Sequence, residues 1–146
     1  MVTFELHRTV PLPPEEAWNR LTAWHRHGDV VPLTRVTVLT PAPTTEGTVF
    51  VARTGLGPLS FDDRMEVTLW HPPSPTTPGL CRLEKRGRVV LGRAEIEVGT
   101  GPGGRAHVVW REELAVRFLP NAFDPALRTA ARSIFGRAIN RLLRGV

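Results

Sequence analysis

Apolar and polar residues alternate one by one at the start of the chain. Val2, Phe4, Leu6 and Val10 are separated by Thr3, Glu5, His7 and Thr9, the period of a strand with one apolar face. The proline-rich stretch 11–14 ends that run. Across 15–24 the interval changes. Ala17, Trp18, Leu21 and Trp24 fall at helical spacing behind prolines and acids, which suit a helix start. Gly28 closes this region and Pro32 prevents its continuation, so a pair of short helices is expected here.

Strand patterns then follow one another between turn residues, at 34–39, 48–54, 59–70, 80–86, 89–98 and 105–118. Their short connections favour antiparallel pairing. The last segment, 124–146, returns to helical spacing. Asp124 is placed as its N-cap, Pro125 as its first helical residue and Gly145 as its stop. Stepping 100° per residue gathers Leu127, Ala130, Ala131, Ile134, Phe135, Ala138 and Leu142 in one sector. Arg128 and Arg132 flank it on one side, Arg137 and Arg144 on the other, with Thr129, Ser133, Gly136 and Asn140 opposite. Arg141 falls close to the apolar sector, and its stem is expected to snorkel to the edge. The alanines make the sector shallow. It either packs closely on a sheet or leaves room for a ligand, and the second reading is adopted.

Alternation also sorts the strand residues. In 59–70, Phe61, Asp63, Met65, Val67 and Leu69 share one face. In 105–118, Val108, Trp110, Glu112, Leu114, Val116 and Phe118 do so. In the hairpin between them, Cys81 and Leu83 pair with Val90, Ala94, Ile96 and Val98. These apolar sets must face the terminal helix, because burial of apolar area drives assembly. Asp63 and Glu112 therefore stand on an inward face, and a buried carboxylate needs a partner, water or a proton. One account binds each acid to an arginine or a backbone N–H, or turns it outward at a bulge. The other makes them proton-transfer groups or polar anchors in an apolar pocket. Arg53 is a candidate counter-charge, although its strand fits either facing.

Composition narrows the classes. The 146 residues, 41% hydrophobic and 23% charged, suit one globular domain spanning 1–146. No apolar run approaches the ~20 residues of a membrane span, and the first residues lack the order of a signal peptide. Cys81 has no disulfide partner in the chain, which fits a cytoplasmic location, and a strand cysteine is expected in the core rather than as a nucleophile. No metal and no cofactor is expected. The net charge of +5 comes almost wholly from arginine, since Lys85 is the only lysine. Those arginines are spread along the chain, so nucleic acid is not expected as a partner. His25 and His27 are expected to form a solvent-exposed pair, while Leu56 and Leu59, around Gly57-Pro58, can form an apolar lip.

The order of elements, with Pro14-Glu15-Glu16-Ala17-Trp18, Leu21-Thr22-Ala23-Trp24, Phe61-Asp62-Asp63-Arg64-Met65, Trp70-His71-Pro72-Pro73 and Trp110-Arg111-Glu112-Glu113, resembles the START/Bet v 1-like helix-grip (SRPBCC) superfamily. More narrowly, it resembles the bacterial polyketide cyclase/dehydrase and lipid-transport-like group. The resemblance covers nearly the whole chain. It implies an α+β helix-grip fold, in which a curved antiparallel sheet of about seven strands wraps the C-terminal helix. It also implies a cavity between sheet and helix for an apolar molecule. The residues expected to line it are Phe61, Asp63, Met65, Leu83, Ala94, Trp110 and Glu112 from the sheet. From the helix they are Leu127, Ala131, Ile134, Phe135 and Ala138. The leading function is binding of a small hydrophobic or aromatic ligand. One alternative is a cyclase/dehydratase-like enzyme, with Asp63, Glu112 or Arg53 as catalytic candidates, although the chain has no tyrosine. The other is an interaction protein that meets an acidic partner or RNA through its arginines.

Overall fold

The structure, a computed structural model, describes residues 1–145. Strand β1 (Val2–Val10) leads into helices α1 (Pro14–Leu21) and α2 (Trp24–Val30). Strands β2 (Thr34–Val38), β3 (Val49–Leu56), β4 (Leu59–His71), β5 (Gly79–Arg86), β6 (Val90–Thr100) and β7 (Ala106–Val116) follow. Helix α3 (Asp124–Arg144) closes the chain. The strands form one antiparallel seven-stranded sheet in the order β1-β7-β6-β5-β4-β3-β2. The sheet is curved, and α3 lies on its apolar concave side. This is the α+β architecture that the periodicity and the element order led to.

The two ends of the sheet are covered differently. Arg132 of α3 donates to the Glu5 carbonyl at 2.8 Å, and Arg128 to the Thr3 carbonyl at 3.4 Å. These arginines therefore satisfy carbonyls of an edge strand that would otherwise offer itself to another chain. At the other edge, α2 packs on β2. Gly28 sits inside α2 rather than ending it. A Cβ there would lie 3.1 Å from the Val36 nitrogen and 3.2 Å from the Thr34 carbonyl oxygen, so glycine permits the close approach. The helix ends at Val31 instead, ahead of Pro32.

Other expectations are corrected. Asp124 is not the N-cap of α3. It has helical dihedrals, and its carboxylate pairs with the Met1 ammonium at 3.3 Å, while Phe123 holds the cap position. Gly145 does terminate the helix, with φ of 73°. Gly136, assigned to the solvent side, is buried beneath the Arg8 guanidinium, which also donates to Asn140 Oδ1 at 2.7 Å. In β4 a bulge between Val67 and Leu69 shifts the register, so that Trp70, and not Leu69, lies opposite Cys81. The extra residue exchanges the faces beyond it. Trp70 then turns inward against Trp18, with ring centroids 4.9 Å apart.

The core is not uniform along α3. Ala138, Ile139, Leu142 and Leu143 are buried against α1 and the sheet, with Arg20 of α1 hydrogen-bonded to the Leu143 carbonyl. Nearer the N-terminus of the same helix, Ala130 and Ile134 are exposed and Leu127 and Phe135 are half-buried. One half of the helix therefore seals the core. The other half stands over open space.

Candidate functional site

That space is a cavity of about 270 Å³ between the concave sheet and the N-terminal half of α3. Phe61, Asp63 and Met65 reach it from β4, Leu83 from β5, Ala94 from β6, and Trp110 and Glu112 from β7. Leu127, Ala131, Ile134 and Phe135 form its roof. Ala138 does not line it. One turn further along α3, that side chain is part of the sealed core. Leu56 and Leu59 sit exposed at the β3–β4 hairpin tip, outside the lining.

Arg53 also lies elsewhere. The pairing of β3 with β4 places it opposite Asp62 on the convex side, where it pairs with that carboxylate at 3.3 Å and donates to Ser60 Oγ at 3.1 Å. Phe50, Ala52 and Thr54 face the cavity from β3 instead. The convex face of β5, β6 and β7 continues the pattern. There Arg82, Arg86, Arg93 and Arg111 pair with glutamates of the same face. The charge of these arginines is compensated within the sheet.

The counter-charge of the inward acids is Lys85. Its Nζ donates to Asp63 Oδ2 at 2.8 Å and lies 3.6 Å from Glu112 Oε1, and the three side chains are 4%, 14% and 1% exposed respectively. Asp63 is on β4, Lys85 on β5 and Glu112 on β7, so the lysine must reach across β6. Strands lie about 4.8 Å apart, and only a long stem over a low strand spans that gap. β6 is low at this point because its inward residues are Gly92 and Ala94, opposite Lys85 and Glu112 respectively. Gly92 has φ of 124°, and a Cβ there would fall 2.0 Å from the Glu113 carbonyl oxygen, so this position requires glycine.

The cluster is incompletely satisfied by protein groups. Glu112 Oε2 accepts from Trp110 Nε1 at 2.9 Å. Asp63 Oδ1 and Glu112 Oε1 are buried and find no hydrogen-bond donor among the described residues. Burial pushes the Glu112 carboxyl above its ordinary value, against the pull of Lys85 and the Trp110 N–H. For Lys85, burial works against the charged form, but the nearby Glu112 and Asp63 carboxylates outweigh it and raise its pKa. The lysine is a fixed cation at the apolar cavity's polar end.

His27 is the other polar group that the sequence placed wrongly. It lines the cavity rather than facing solvent. Because α2 continues past Gly28, His27 falls one turn after Trp24, on the same face, with ring centroids 5.6 Å apart. Its Nε2 donates to the Leu21 carbonyl at 2.8 Å. Burial lowers its pKa, so the neutral ring is favoured and Nδ1 is left as an acceptor. His25 is exposed. Cys81 is fully buried, with its thiol pushed up to about 12 by burial, which leaves it inert.

Two of these residues carried signals in the sequence. Lys85 follows Cys81 and Leu83 at the strand period, and His27 follows Trp24 at the helical one. Gly92 carried none, because its dihedral comes from the bend of the sheet.

A curved antiparallel sheet gripping a C-terminal helix, with two short helices between the first strands and a cavity beneath the long one, defines a helix-grip protein. Solved structures agree. The Zhui aromatase/cyclase from Streptomyces sp. R1128 superposes with a TM-score of 0.70 at 16% identity, over 99% of this chain and 92% of that one. XoxI from Bacillus cereus gives 0.70 at 13% identity, over 99% and 95% of the two chains. Ara h 8.0201 gives 0.62 at 12% identity, over 98% of both chains. No protein-family model matches the sequence, and neither does any curated relative. At such identities the likeness establishes the fold alone: the protein has a Bet v 1-like helix-grip fold.

Proposed function

We propose that the protein binds a small hydrophobic or aromatic molecule in the cavity beneath α3. The observation that carries this is the cavity itself. It has mostly apolar walls, one charged cluster at Asp63, Lys85 and Glu112, and a roof helix whose N-terminal half is not packed down. Empty apolar space forfeits dispersion contacts, so a chain that keeps it unfilled gains when a ligand supplies them. Trp110 stacks loosely on Phe135 across the lining, at 6.1 Å between centroids, and the pair offers an aromatic surface. No described helix is long and apolar enough to cross a membrane.

A second reading is favoured by one observation, the raised Glu112 carboxyl beside a buried ammonium. That pair can move a proton, as a cyclase or dehydratase requires. One experiment addresses both. Native mass spectrometry of protein purified from its own host identifies retained ligand, and titration with that compound follows tryptophan fluorescence. Ala131→Trp, which fills the cavity from its roof, should weaken binding at least tenfold while the far-ultraviolet dichroism stays unchanged. A ligand recovered unaltered after long incubation supports a carrier. One altered by the wild type but not by Glu112→Gln supports the enzyme. Binding unaffected by Ala131→Trp overturns the cavity as the site.

A further inference from the structure

We infer that the polar end of this cavity selects apolar ligands that carry a hydroxyl group, phenol or alcohol, and seats that group between Asp63 and Glu112 beside Lys85. The inference rests on the cavity being a binding site and names the chemistry that the site prefers.

The hydrogen-bonding valences of the cluster are only partly filled. Asp63 Oδ2 is taken by Lys85, and Glu112 Oε2 by the Trp110 indole N–H. The remaining oxygens, Asp63 Oδ1 and Glu112 Oε1, are buried without a donor among the described residues. Both residues line the cavity, and Glu112 is almost wholly withdrawn from solvent. A buried acceptor left unpaired is costly, so a ligand that brings a donor to this place removes a penalty already built into the protein. Lys85 has three donors. One goes to Asp63 Oδ2 and a second, weakly, to Met65 Sδ at 3.8 Å, while Glu112 Oε1 lies 3.6 Å away without a hydrogen bond, which leaves the third donor unused. It can therefore donate to an oxygen placed alongside.

Only some groups fit these demands. A ligand carboxylate brings acceptors alone, and adds negative charge beside two acids. An ammonium brings donors, but must shed its water in an apolar cavity and sit next to a lysine of the same sign. A hydroxyl brings one donor for an orphaned carboxylate oxygen and one acceptor for Lys85, and adds no charge. The rest of the ligand meets Phe61, Met65, Leu127 and Ile134. A volume of about 270 Å³ lies just below the ~300 Å³ at which drug-sized sites begin, so a one- or two-ring skeleton is the right scale.

The test uses the intact protein and four probes of one skeleton: naphthalene, 2-naphthol, 2-naphthoate and 2-naphthylmethylamine. Calorimetric titration should show 2-naphthol binding roughly tenfold more tightly than naphthalene, the scale of one good buried hydrogen bond, and more tightly than either charged probe. In Asp63→Leu/Lys85→Met/Glu112→Leu, which removes the polar end and adds some apolar bulk there, naphthalene should still bind and the hydroxyl preference should fall to about twofold or less. Glu112→Gln, the milder change, should reduce the preference at least threefold. Arg53→Ala, on the convex face, should leave it intact. Equal binding of naphthalene and 2-naphthol, tighter binding of a charged probe, or a preference that survives both substitutions overturns the inference while cavity binding stands. If none of the four probes binds, the binding function fails and this inference with it.

Discussion

Replacing Lys85 by methionine removes the only cation of the buried cluster and keeps a stem of similar length. At an effective dielectric constant of about 20, charges 2.8 Å and 3.6 Å apart attract by about 6 and about 5 kcal/mol. The cost of taking three charges out of water offsets most of that sum, so the intact cluster stabilises the fold little. Breaking it is another matter. Two carboxylates then remain in the cavity wall without a counter-charge, and such a loss costs about 3–5 kcal/mol. For a chain of this size each kcal/mol lowers the melting temperature by roughly 2–4 °C, so a fall on the order of 10 °C is expected for Lys85→Met. Thermal unfolding followed by tryptophan fluorescence measures the shift, and urea unfolding the loss in free energy. The deficit should shrink as pH falls, because protonation removes the uncompensated charge. Asp63→Leu/Lys85→Met/Glu112→Leu should recover at least half of the loss, since no charge is then left buried. Arg53→Ala, which breaks only an exposed pair, should cost about 0.5 kcal/mol or less. A loss below about 1 kcal/mol for Lys85→Met, or a triple variant weaker than the single one, would refute the account of a buried cluster held by one lysine.

Two further outcomes follow from the same region. The Glu112 carboxyl is raised above 4.5 in the folded state, so between 4.5 and its folded value the native chain binds more protons than the unfolded one. Its contribution is therefore full below about pH 4.5 and is lost as pH rises through the folded value; urea titrations should show wild type losing stability relative to Glu112→Gln from acid toward neutral pH, and a flat or rising difference contradicts this. Gly92→Ala forces a side chain into a positive-φ position 2.0 Å from a backbone oxygen, and should cost at least about 2 kcal/mol in chemical denaturation; a change under about 0.5 kcal/mol would show that β6 can relax there.

Binary pattern determined a good deal. Strand alternation put Asp63 and Glu112 among apolar neighbours, and a 3.6-residue period put Ala131, Ile134 and Phe135 opposite them. The terminal stop at Gly145 was equally legible, because a left-handed cap is a local backbone need. These are properties of one segment at a time, and a segment carries them wherever it goes.

What only the tertiary structure decided involves two or more segments. Arg53 could face either way from its own strand, and its pairing register with β4 turned it outward. One extra residue in β4 exchanged Leu69 for Trp70, which no period-two count foresees. Lys85 meets Glu112 because a glycine and an alanine on the strand between them leave its stem a path. The division of α3 into a sealing half and a roofing half depends on where α1 and the sheet stop supporting it, which is why Ala138 is core and Ile134 is not. Periodicity gives each side chain a side of its own element. Register, bulges and packing between elements, fixed by non-local hydrogen bonds and contacts, decide whom it meets there.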